Sequence, residues 1–470
     1  MKKFVSALMA LTLTAVSSVC AFAAQEKLYG DANLDGLLSV KDCTLIQRHC
    51  AAAVKLGDAA LSRADADRNG TVNIDDATYV QRLLAGYVPQ KNYTKEEALA
   101  EGDKAVTNLG VELLKAGRKE KKNTLVSPVS VMGVLSMTSN GARGKTKAQM
   151  EKVLGMPVNA LNTYFKYFQS NTNNSWGLEY TKLNTANSVW CNSLYGNVNY
   201  TDSFKEAAED YYSAEVSALP FDIDAQNRIN GWVKENTDNM IDGIVDEINP
   251  QSYMYLVNAL AFDGKWESPY DPRFMVRSGT FTNADGTKSA AEYLCSEEYK
   301  YLSSDSAAGF MKSFEGSNYA FAALLPNEDL SIENYVESLD GKALSKILNS
   351  QSEEKVEVRL PKFKVDYKTE LSPVLKAMGM TDAFDATKAN FTGMIENAPF
   401  NAYIGRVIHK TAIEVNEVGT KAAAATSVEI KAGSTPEEPK YIRLDRPFVY
   451  MIINSKTNTP LFIGTLDSLN

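Results

Sequence analysis

The segment from Gly419 to Pro439 constrains the fold more than any other part of the chain, because its two halves indicate different structures. The first half, TKAAAATSVEIK, starts at Thr420 and holds four consecutive alanines, which favour helix by propensity. Its residues nevertheless alternate with the period of two that is typical of a half-buried strand. The second half, AGSTPEEP, has the composition of an exposed loop. The sequence therefore places a strand pattern inside a stretch that otherwise predicts a loop.

Composition sets the outer limits for the chain. Its 470 residues suggest two or three domains and at least one large core. With 44% hydrophobic and 23% charged residues it is an ordinary globular protein. The net charge of −9 argues against nucleic acid as the main partner, because phosphate binding needs clustered lysine and arginine.

The first 23 residues have the pattern of a secretory signal peptide. Lys2 and Lys3 precede an apolar run from Phe4 to Val19, and Ala21 to Ala23 form a small-x-small cleavage site. Val19 stands directly before Cys20, where a lipoprotein signal would have a small residue. No later apolar run is long enough to span a bilayer. We therefore expect cleavage after Ala23 and a secreted, extracellular mature chain without a membrane anchor.

Four cysteines remain after that cleavage, too few for a disulfide scaffold. Cys43 and Cys50 lie seven residues apart on a predicted helix, about 10 Å, which is too far for a bridge. We interpret all four as small buried hydrophobic residues. A single long-range bridge, such as one between Cys191 and Cys295, stays open.

A duplicated loop lies near the N-terminus, with the two copies 34 residues apart. Each copy is a 12-residue loop, 31–42 and 65–76, with oxygen-bearing side chains at positions 1, 3, 5, 9 and 12 and a glycine, Gly36 or Gly70, at the turn. Oxygen ligands at alternate positions suit Ca²⁺, so two bound ions are expected. The predicted ligands are Asp31, Asn33, Asp35, Ser39 and Asp42, and then Asp65, Asp67, Asn69, Asn73 and Asp76.

Each loop is followed by a predicted helix. Because only about seven residues separate the predicted cleavage site from Asp31, the repeat unit is predicted to be a loop followed by a helix, without an entering helix before either loop. This loop-helix repeat, with Asp rather than Glu at position 12, resembles the dockerin module over residues 29 to 88. The resemblance implies a small all-α calcium-binding domain over 24–88 that binds a cohesin of a cellulosome scaffold. It also implies cohesin contacts at the equivalent pairs Gln47-Arg48 and Gln81-Arg82; ordinary solvated helix positions are the alternative.

A linker at 89–93 separates this module from a large domain over 94–470. Thr94 and Glu97 have the spacing of a capping box, which predicts an amphipathic helix from Thr94 to Lys122. Strand-like runs follow at Tyr255 to Phe262, Glu357 to Lys364 and Phe448 to Ile453, with helical segments between them. Strands and helices without regular alternation predict an α+β fold.

The motifs expected of an enzyme are missing from the large domain. The chain has two histidines, of which only His409 lies in this domain, and it has no G-x-S-x-G, H-E-x-x-H or phosphate-binding glycine motif. The sequence therefore indicates that the protein is not an enzyme.

Several segments of the large domain together resemble the serpin family of protease inhibitors. They occur in the family's order, and the segment from Val407 to Thr426 is the most specific. The others are Asn123 to Met150, Leu256 to Asp271, Leu360 to Phe384 and Asp445 to Leu466. The resemblance implies three β-sheets, about eight to nine helices and an exposed reactive loop.

The resemblance also assigns roles to individual residues. Ser127, Ser130, Asn258 and His409 match the shutter, the cluster beneath the central sheet where two strands part. Trp266 matches the breach, where insertion of the loop begins. Lys362 and Glu417 match a charge pair at the root of the loop. The hinge of the loop corresponds to Glu417, Gly419, Thr420, Ala422, Ala423, Ala424, Ala425 and Thr426.

The resemblance explains the opening segment. The cleaved loop of a serpin inserts into the central sheet, and an inserted strand moves an attached protease by about 3.3 Å per residue, or roughly 45 Å in all. The uncharged set Thr420, Ala422, Ala424, Thr426, Val428 and Ile430 would face the interior. Lys421, Glu429 and Lys431 would face solvent, and Gly419 would act as a flexible pivot.

Family spacing places the reactive bond between Gly433 and Ser434, within a range from Lys431 to Thr435. Small residues there favour a subtilisin-like or elastase-like serine protease; Lys431 leaves a trypsin-like target open, and papain-like cysteine proteases are a further option. We expect a monomeric suicide-substrate inhibitor, anchored on a cellulosome. The alternative is a non-inhibitory serpin that serves as a binding or carrier module on the same scaffold.

Overall fold

The computed structural model describes residues 28–66, 70–84, 93–118, 122–173, 181–396, 401–420 and 439–469. Several predictions lie outside these ranges: the signal peptide at 1–23, the ligands Asp67 and Asn69, most of the linker, the hinge from Ala422 to Thr426 and the bond at Gly433-Ser434. The chain divides into two compact units, residues 1–92 and 93–470. No helix in the described ranges is long and apolar enough to cross a membrane.

The described part of the first unit contains three helices: α1 (Val40–Cys50), α2 (Asp58–Ala64) and α3 (Ile74–Leu84). Ser39 and Asp42 form a capping box at the start of α1. Cys43 and Ile46 of α1 share a small core with Ala77 and Val80 of α3. The prediction that neither loop has an entering helix is wrong for the second loop, because α2 ends at Ala64, directly before Asp65. Its seven residues are too few to produce a clear helical period in the sequence.

The second unit contains ten further α-helices in its described part, more than the eight or nine expected, because several are only one or two turns long. They are α4 (Lys95–Gly117), α5 (Pro128–Gly141), α6 (Gly144–Leu154), α7 (Val158–Asn173), α8 (Asp202–Tyr212), α9 (Ile223–Asn236), α10 (Pro272–Met275), α11 (Ile332–Ser338), α12 (Gly341–Leu348) and α13 (Ser372–Ala377). Two 3₁₀ turns occupy Ser193–Tyr195 and Asp382–Phe384. The predicted capping box of α4 is confirmed: Thr94 Oγ1 accepts from the Glu97 N–H, and Glu97 accepts from the Thr94 N–H.

Seventeen strands are described. They are β1 (Thr124–Val126), β2 (Thr181–Asn192), β3 (Asn199–Tyr200), β4 (Glu215–Leu219), β5 (Met254–Gly264), β6 (Val276–Thr282), β7 (Lys288–Glu298), β8 (Lys300–Ser303), β9 (Ala307–Ser313), β10 (Tyr319–Pro326), β11 (Val356–Pro361), β12 (Phe363–Glu370), β13 (Ile395–Glu396), β14 (Ile404–Val415), β15 (Lys440–Arg443), β16 (Phe448–Asn454) and β17 (Thr459–Leu466). The run predicted from Glu357 to Lys364 is two strands, divided at Lys362.

The strands form three large sheets and one small pair. The central sheet has the order β12-β14-β5-β2-β4, a second sheet the order β1-β17-β16-β10-β9-β8, and a four-stranded sheet the order β15-β11-β7-β6. Strands β3 and β13 make a separate pair. Helices and sheets without βαβ regularity confirm the predicted α+β class.

The two faces of the central sheet are covered by different layers. Met254, Leu256, Leu260 and Phe262 of β5 belong to the main core, together with α5 and the second sheet. The alternate residues Tyr255, Val257 and Ala259 belong to a separate core built with α9. Strand β5 is therefore buried on both sides over its first half, which explains why it is apolar almost throughout.

The prediction that all four cysteines are buried is half wrong. The four thiols are free; Cys43 and Cys191 are buried, Cys50 is exposed and Cys295 is partly exposed. Cys50 is the last residue of α1, where the helix ends at the surface. Cys295 lies on the same face of β7 as the buried Ala291 and Tyr293, but it packs only partly against the main core.

Candidate functional site

The residues predicted as a shutter lie in one row across the central sheet. In the strand register His409 of β14 is opposite Asn258 of β5, and Asn258 is opposite Asn187 of β2. Ser127 and Ser130 come from the start of α5, where the Ser127 side chain caps the helix. The structure thus brings together all four predicted residues and adds Asn187, which the sequence analysis missed.

The hydrogen bonds of this row fix the proton on His409. The Ser127 N–H donates to His409 Nε2 at 3.0 Å, so Nε2 carries no proton. The proton is then on Nδ1, which donates to Asn258 Oδ1 at 2.6 Å. Full burial lowers the pKa of His409 to about 3, because burial penalises the charged form. The shutter is therefore neutral at physiological pH.

The amide nitrogen of Asn258 completes the row. It donates to the Ser130 carbonyl at 2.9 Å, to the Ser130 hydroxyl, and to Asn187 Oδ1 at 2.5 Å. Asn258 thus connects β14 through His409, α5 through Ser130 and β2 through Asn187. All members of the row are buried, so each broken bond would leave an unsatisfied polar group.

The breach lies at the other end of β5, where the chain leaves β14. Trp266 is fully buried and stacks on Phe314 with 4.7 Å between the ring centroids. Its indole N–H donates to the Asn416 carbonyl at 2.9 Å, and its backbone N–H donates to the Val418 carbonyl at 2.8 Å. Trp266 therefore holds the first residues after β14.

The chain reverses direction at Asn416, and the segment after it runs antiparallel to the end of β5. Gly419 is bridged to Lys265 in antiparallel sense. The Thr420 N–H donates to the Gly264 carbonyl at 2.7 Å, and the Gly264 N–H donates to Thr420 Oγ1 at 2.7 Å. Thr420 is only 2% exposed. The hinge thus begins with one residue already attached to the edge of β5.

Gly419 stays a predicted pivot, and the structure shows a separate reason for glycine at this position. Its φ is outside the left-handed region, so the backbone does not need glycine for that reason. A Cβ at this position would lie 1.9 Å from the Gly264 carbonyl oxygen and 2.7 Å from Lys265 Cα. Glycine is required because two backbones approach closely here.

The predicted charge pair at the root of the loop is present, but Lys362 shares its charge. Its Nζ lies 2.8 Å from Glu417 and 2.8 Å from Glu292. Glu292 and then Glu417 raise the pKa of Lys362 through hydrogen bonds. The side chain of Lys362 is 27% exposed and that of Glu417 is 22% exposed. Such a solvent-accessible pair contributes about 0–1 kcal/mol.

A second ion pair beneath Trp266 is far more buried and was not predicted. Lys312 of β9 lies 2.7 Å from Glu298 of β7, with side chains 4% and 12% exposed. The Ser296 hydroxyl also donates to Glu298 at 2.7 Å. Lys312 Nζ lies 4.7 Å from the ring centroid of Tyr270, and burial raises the pKa of Tyr270 to about 12. A lysine in a strand normally indicates a solvent-facing position, so no sequence pattern indicated this buried pair.

The two duplicated loops of the first unit have related hydrogen bonds. The turn glycines, Gly36 at φ 83° and Gly70 at φ 88°, are left-handed as position 6 requires. Their N–H groups donate to Asp31 Oδ2 and Asp65 Oδ2, at 3.1 Å and 3.0 Å. The carboxylates at position 12 are also equivalent, since Asp42 accepts from the Ser39 N–H and Asp76 from the Asn73 N–H.

The fit of these loops to calcium is partial. Asp31, Asp42 and Asp76 are fully buried carboxylates, and oxygen is the donor that Ca²⁺ prefers. Yet Asp31 pairs with Arg63 at 2.7 Å, and Asn33 and Asp35 direct oxygens to nearby backbone N–H groups. Within the described residues no three His, Cys, Asp or Glu side chains are gathered as a metal site. The predicted contacts Gln47, Arg48, Gln81 and Arg82 are all exposed.

In the central sheet of the second unit, the neutral hydrogen-bonded row around His409 connects the parallel strands β5 and β14. The reversed segment after β14 is hydrogen-bonded to the end of β5. This arrangement defines an α+β protein with a mixed central sheet, in which the segment after β14 turns back and is attached to the end of β5. The serpin (serine protease inhibitor) family profile matches residues 104–468. The chain belongs to the serpin family, as its sequence resemblance predicted, and members of this family are generally protease inhibitors.

Individual relatives agree with this assignment. An uncharacterized serpin-like protein of Thermococcus kodakarensis is 31% identical over 385 residues, covering 79% of this chain and 88% of that protein. Serpin B8 of Homo sapiens is 31% identical over 357 residues, covering 74% of this chain and 93% of that protein. The crystal structure of tengpin, a thermophilic serpin, in its native state is 38% identical with a TM-score of 0.74, covering 81% of this chain and 96% of that chain.

Proposed function

We propose that this serpin is a secreted suicide-substrate inhibitor of serine proteases, whose cleaved loop inserts between β5 and β14. The observation that carries the proposal is the attachment of Thr420 to Gly264. Because residues 417–420 already run antiparallel to β5, a strand continuing from Thr420 would run antiparallel to both β5 and β14. Each new residue could then donate and accept hydrogen bonds on both sides, worth about 0.5–1.5 kcal/mol per bond.

The bridge between Lys265 and Gly419 sets the register that such a strand would follow. Continued along β5, it would place Ala422 opposite Phe262, Ala424 opposite Leu260 and Thr426 opposite Asn258. These partners on β5 all have their side chains in the main core or the shutter. The register therefore supports the interior set that the alternating sequence predicts, and it would bring the Thr426 hydroxyl to the shutter.

The same register modifies the expectation that all charged residues would face solvent. It would place Lys421 opposite Asp263, a favourable pair at a partly exposed position. It would place Glu429 opposite Tyr255, which is buried in the core formed with α9. Glu429 could reach solvent only if α9 moved away from the sheet, so we propose that full insertion displaces α9.

The test of inhibition is incubation with a subtilisin-like protease, followed by a denaturing gel. We expect a covalent complex that survives denaturation, formed by protease cleaving between Lys431 and Thr435; mass spectrometry identifies the bond. Ala424→Arg should convert the inhibitor into a substrate, because the charge would enter the core beside Leu260. Lys421→Arg is the matched control, since it also places arginine in the hinge but on the outward set.

Cleaved serpin without any covalent complex would contradict the inhibitor proposal and favour the carrier alternative. Complex formation by Ala424→Arg at the wild-type level would instead contradict insertion. Elastase-like and trypsin-like proteases, tested in parallel, decide whether the small residues near Gly433 or the basic Lys431 direct the specificity.

For the first unit we propose a calcium-dependent cohesin-binding module that anchors the inhibitor on a cellulosome. Two exposed apolar residues support a docking surface: Val40 is 70% exposed and Ile74 is 55% exposed. Each is the first residue of its helix, and they are equivalent in the two repeats. Exposed aliphatic side chains next to Gln47-Arg48 and Gln81-Arg82 have the composition of an interface with an apolar centre and a polar rim.

Calcium titration of the full chain, followed by calorimetry, tests this proposal. We expect two ions to bind, cohesin binding to require them, and protease inhibition to be unaffected by chelation. Asp42→Ala and Asp76→Ala should each remove one ion. Failure to bind calcium, or cohesin binding that survives chelation, would contradict the module assignment without affecting the inhibitor proposal.

A further inference from the structure

A cleft of about 440 Å³ on the four-stranded sheet contains three arginines that no part of the proposed mechanism uses. Arg277, Arg359 and Arg443 come from β6, β11 and β15 and are all exposed. Within the described ranges none of them has a carboxylate within ion-pair distance, whereas Arg63, Arg118, Arg273 and Arg406 each have one. Three unneutralised arginines in one cleft are unexpected in a chain with a net charge of −9.

The strand register brings two of these arginines side by side. Arg359 is directly opposite Arg443 in the parallel pair of β11 and β15. On its other side Arg359 is opposite Cys295 of β7, which provides no negative charge. Like charges directly opposite each other in a sheet are destabilising. The repulsion between Arg359 and Arg443 therefore lowers the stability of the protein, unless an anion from another molecule offsets their charge.

The rest of the lining is consistent with a protein partner. Tyr441 is 57% exposed and lies beneath Arg443, whose guanidinium carbon is 5.7 Å from its ring centroid. Tyrosine and arginine are enriched at protein interfaces. Two carboxylates, Glu297 and Glu357, also line the cleft. They are opposite each other in the register, two residues along β11 from Arg359, and Glu297 is paired with Lys355 at 2.7 Å. The positive charge is thus concentrated in the row that contains Arg359 and Arg443.

The position of the cleft identifies which partner it can reach. β15 is the first strand after the reactive loop, and Arg443 is its last residue. Ten residues separate Gly433 from Arg443, which span at most about 35 Å. A protease bound at the loop would therefore have part of its own surface close to the cleft.

We propose that the Arg277-Arg359-Arg443 cleft binds an acidic segment on the surface of the target protease, and so selects proteases by a contact outside the reactive bond. This inference rests on the proposed inhibitory function. Arginine suits the role because its planar guanidinium binds carboxylates in bidentate geometry. Electrostatic complementarity at such a contact mainly raises the association rate.

The test uses the full chain and an acidic subtilisin-like protease in two forms, active and with its catalytic serine replaced by alanine. For the double variant Arg359→Gln/Arg443→Gln we expect an association rate with the active protease about tenfold lower at low salt, with a weaker salt dependence. The number of serpin molecules consumed per protease should not change. The control double variant Lys342→Gln/Lys346→Gln, which removes two exposed lysines from α12, should behave like wild type.

The inactive protease separates this inference from the proposed function, because it can bind without being trapped. We expect its Kd to weaken about tenfold in the double variant, even if no covalent complex forms with the active enzyme. An unchanged Kd and an unchanged association rate would overturn the cleft proposal, whatever the outcome for inhibition. A double variant that keeps its affinity for protease but loses binding to polygalacturonate would also overturn it, in favour of an acidic polysaccharide.

The melting temperature of the double variant shows whether misfolding is the cause of a lower association rate. Because Arg359 and Arg443 repel each other, the double variant should melt at the wild-type temperature or slightly above it. A clear decrease in the melting temperature would mean that the arginines are needed for folding. A role in recognition would then be rejected, unless the variant Arg359→Lys had both the melting temperature and the association rate of wild type.

Discussion

The shutter and the breach control the same pair of strands by different physical means. The shutter is a neutral row in which His409, Asn258 and Asn187 exchange hydrogen bonds across β14, β5 and β2. The breach combines stacked aromatic rings with two ion pairs, one buried at Lys312 and one partly exposed at Lys362. In the proposed mechanism, the neutral row would separate and form again around a new strand without exposing charge, whereas the breach would stay fixed and align that strand.

The largest effect is expected from breaking the buried ion pair of the breach. Lys312→Met leaves Glu298 buried without its partner, which should lower the free energy of unfolding by about 3–5 kcal/mol. Denaturant unfolding measures the effect. Restoration of most of the stability by a second change, Glu298→Gln, would support the assignment to the ion pair; equal loss in the single and double variants would contradict it.

The neutral side is tested at Asn258. Asn258→Ala removes the acceptor for His409 Nδ1–H and the donor to Ser130 and Asn187, so several buried groups lose their partners at once. With about 1–3 kcal/mol for an orphaned group, we expect a loss of roughly 3 kcal/mol in unfolding free energy. The same variant should convert to a loop-inserted form on heating faster than wild type. Slower conversion would show that the row does not restrain the parting of β5 and β14.

The pH dependence distinguishes the two regions further. Because the pKa of His409 is about 3 in the folded chain and near 6.5 in the unfolded chain, only the unfolded state takes up this proton between those values. The stability that the neutral histidine provides is complete above pH 6.5 and decreases as pH falls, by about 2 kcal/mol between pH 6.5 and pH 5. Unfolding curves of wild type and His409→Gln check this. The slope assigned to His409 should be missing from the variant, and identical slopes would refute it.

The smallest effect is expected at the exposed ion pair. Glu417→Gln should change the unfolding free energy by only about 0–1 kcal/mol, because Lys362 keeps Glu292 as a partner. A larger loss of unfolding free energy would mean that Glu417 acts through its backbone or its turn rather than through Lys362. The double variant Glu417→Gln/Glu292→Gln separates the two explanations, since it leaves Lys362 without either carboxylate.

Much of this arrangement could be predicted from the sequence where a residue's role follows from local pattern. The capping box of α4 and the strand β5 belong to that class. The grouping of Ser127, Ser130, Asn258 and His409 was instead implied by the resemblance to the serpin family. Asn187 and Lys312 could not be predicted in this way. Both are polar residues in strands, and only the pairing of distant strands reveals that Asn187 is next to Asn258 and that Lys312 is enclosed by Trp266, Tyr270 and Glu298.

Helix α2 and the surface of Cys295 were missed for a related reason. Seven residues carry too little periodicity to separate a helix from a turn. The exposure of Cys295 depends on how the surrounding structure covers β7, which only the assembled sheet shows. The sequence from Lys421 to Glu438 differs again, because its alternating pattern would be used only in the proposed inserted state.

The attachment of Thr420 to Gly264 has a kinetic consequence. A strand that joins a sheet must first fix an initial residue in register, a step that resembles the nucleation of a helix and is the least favourable part of the process. In the proposed mechanism that nucleus is present before any protease arrives, so insertion after cleavage would be only propagation, one residue after the next. The interval between cleavage and distortion of the acyl-enzyme would then depend on the width and polarity of the path along β5, and not on a search for its start.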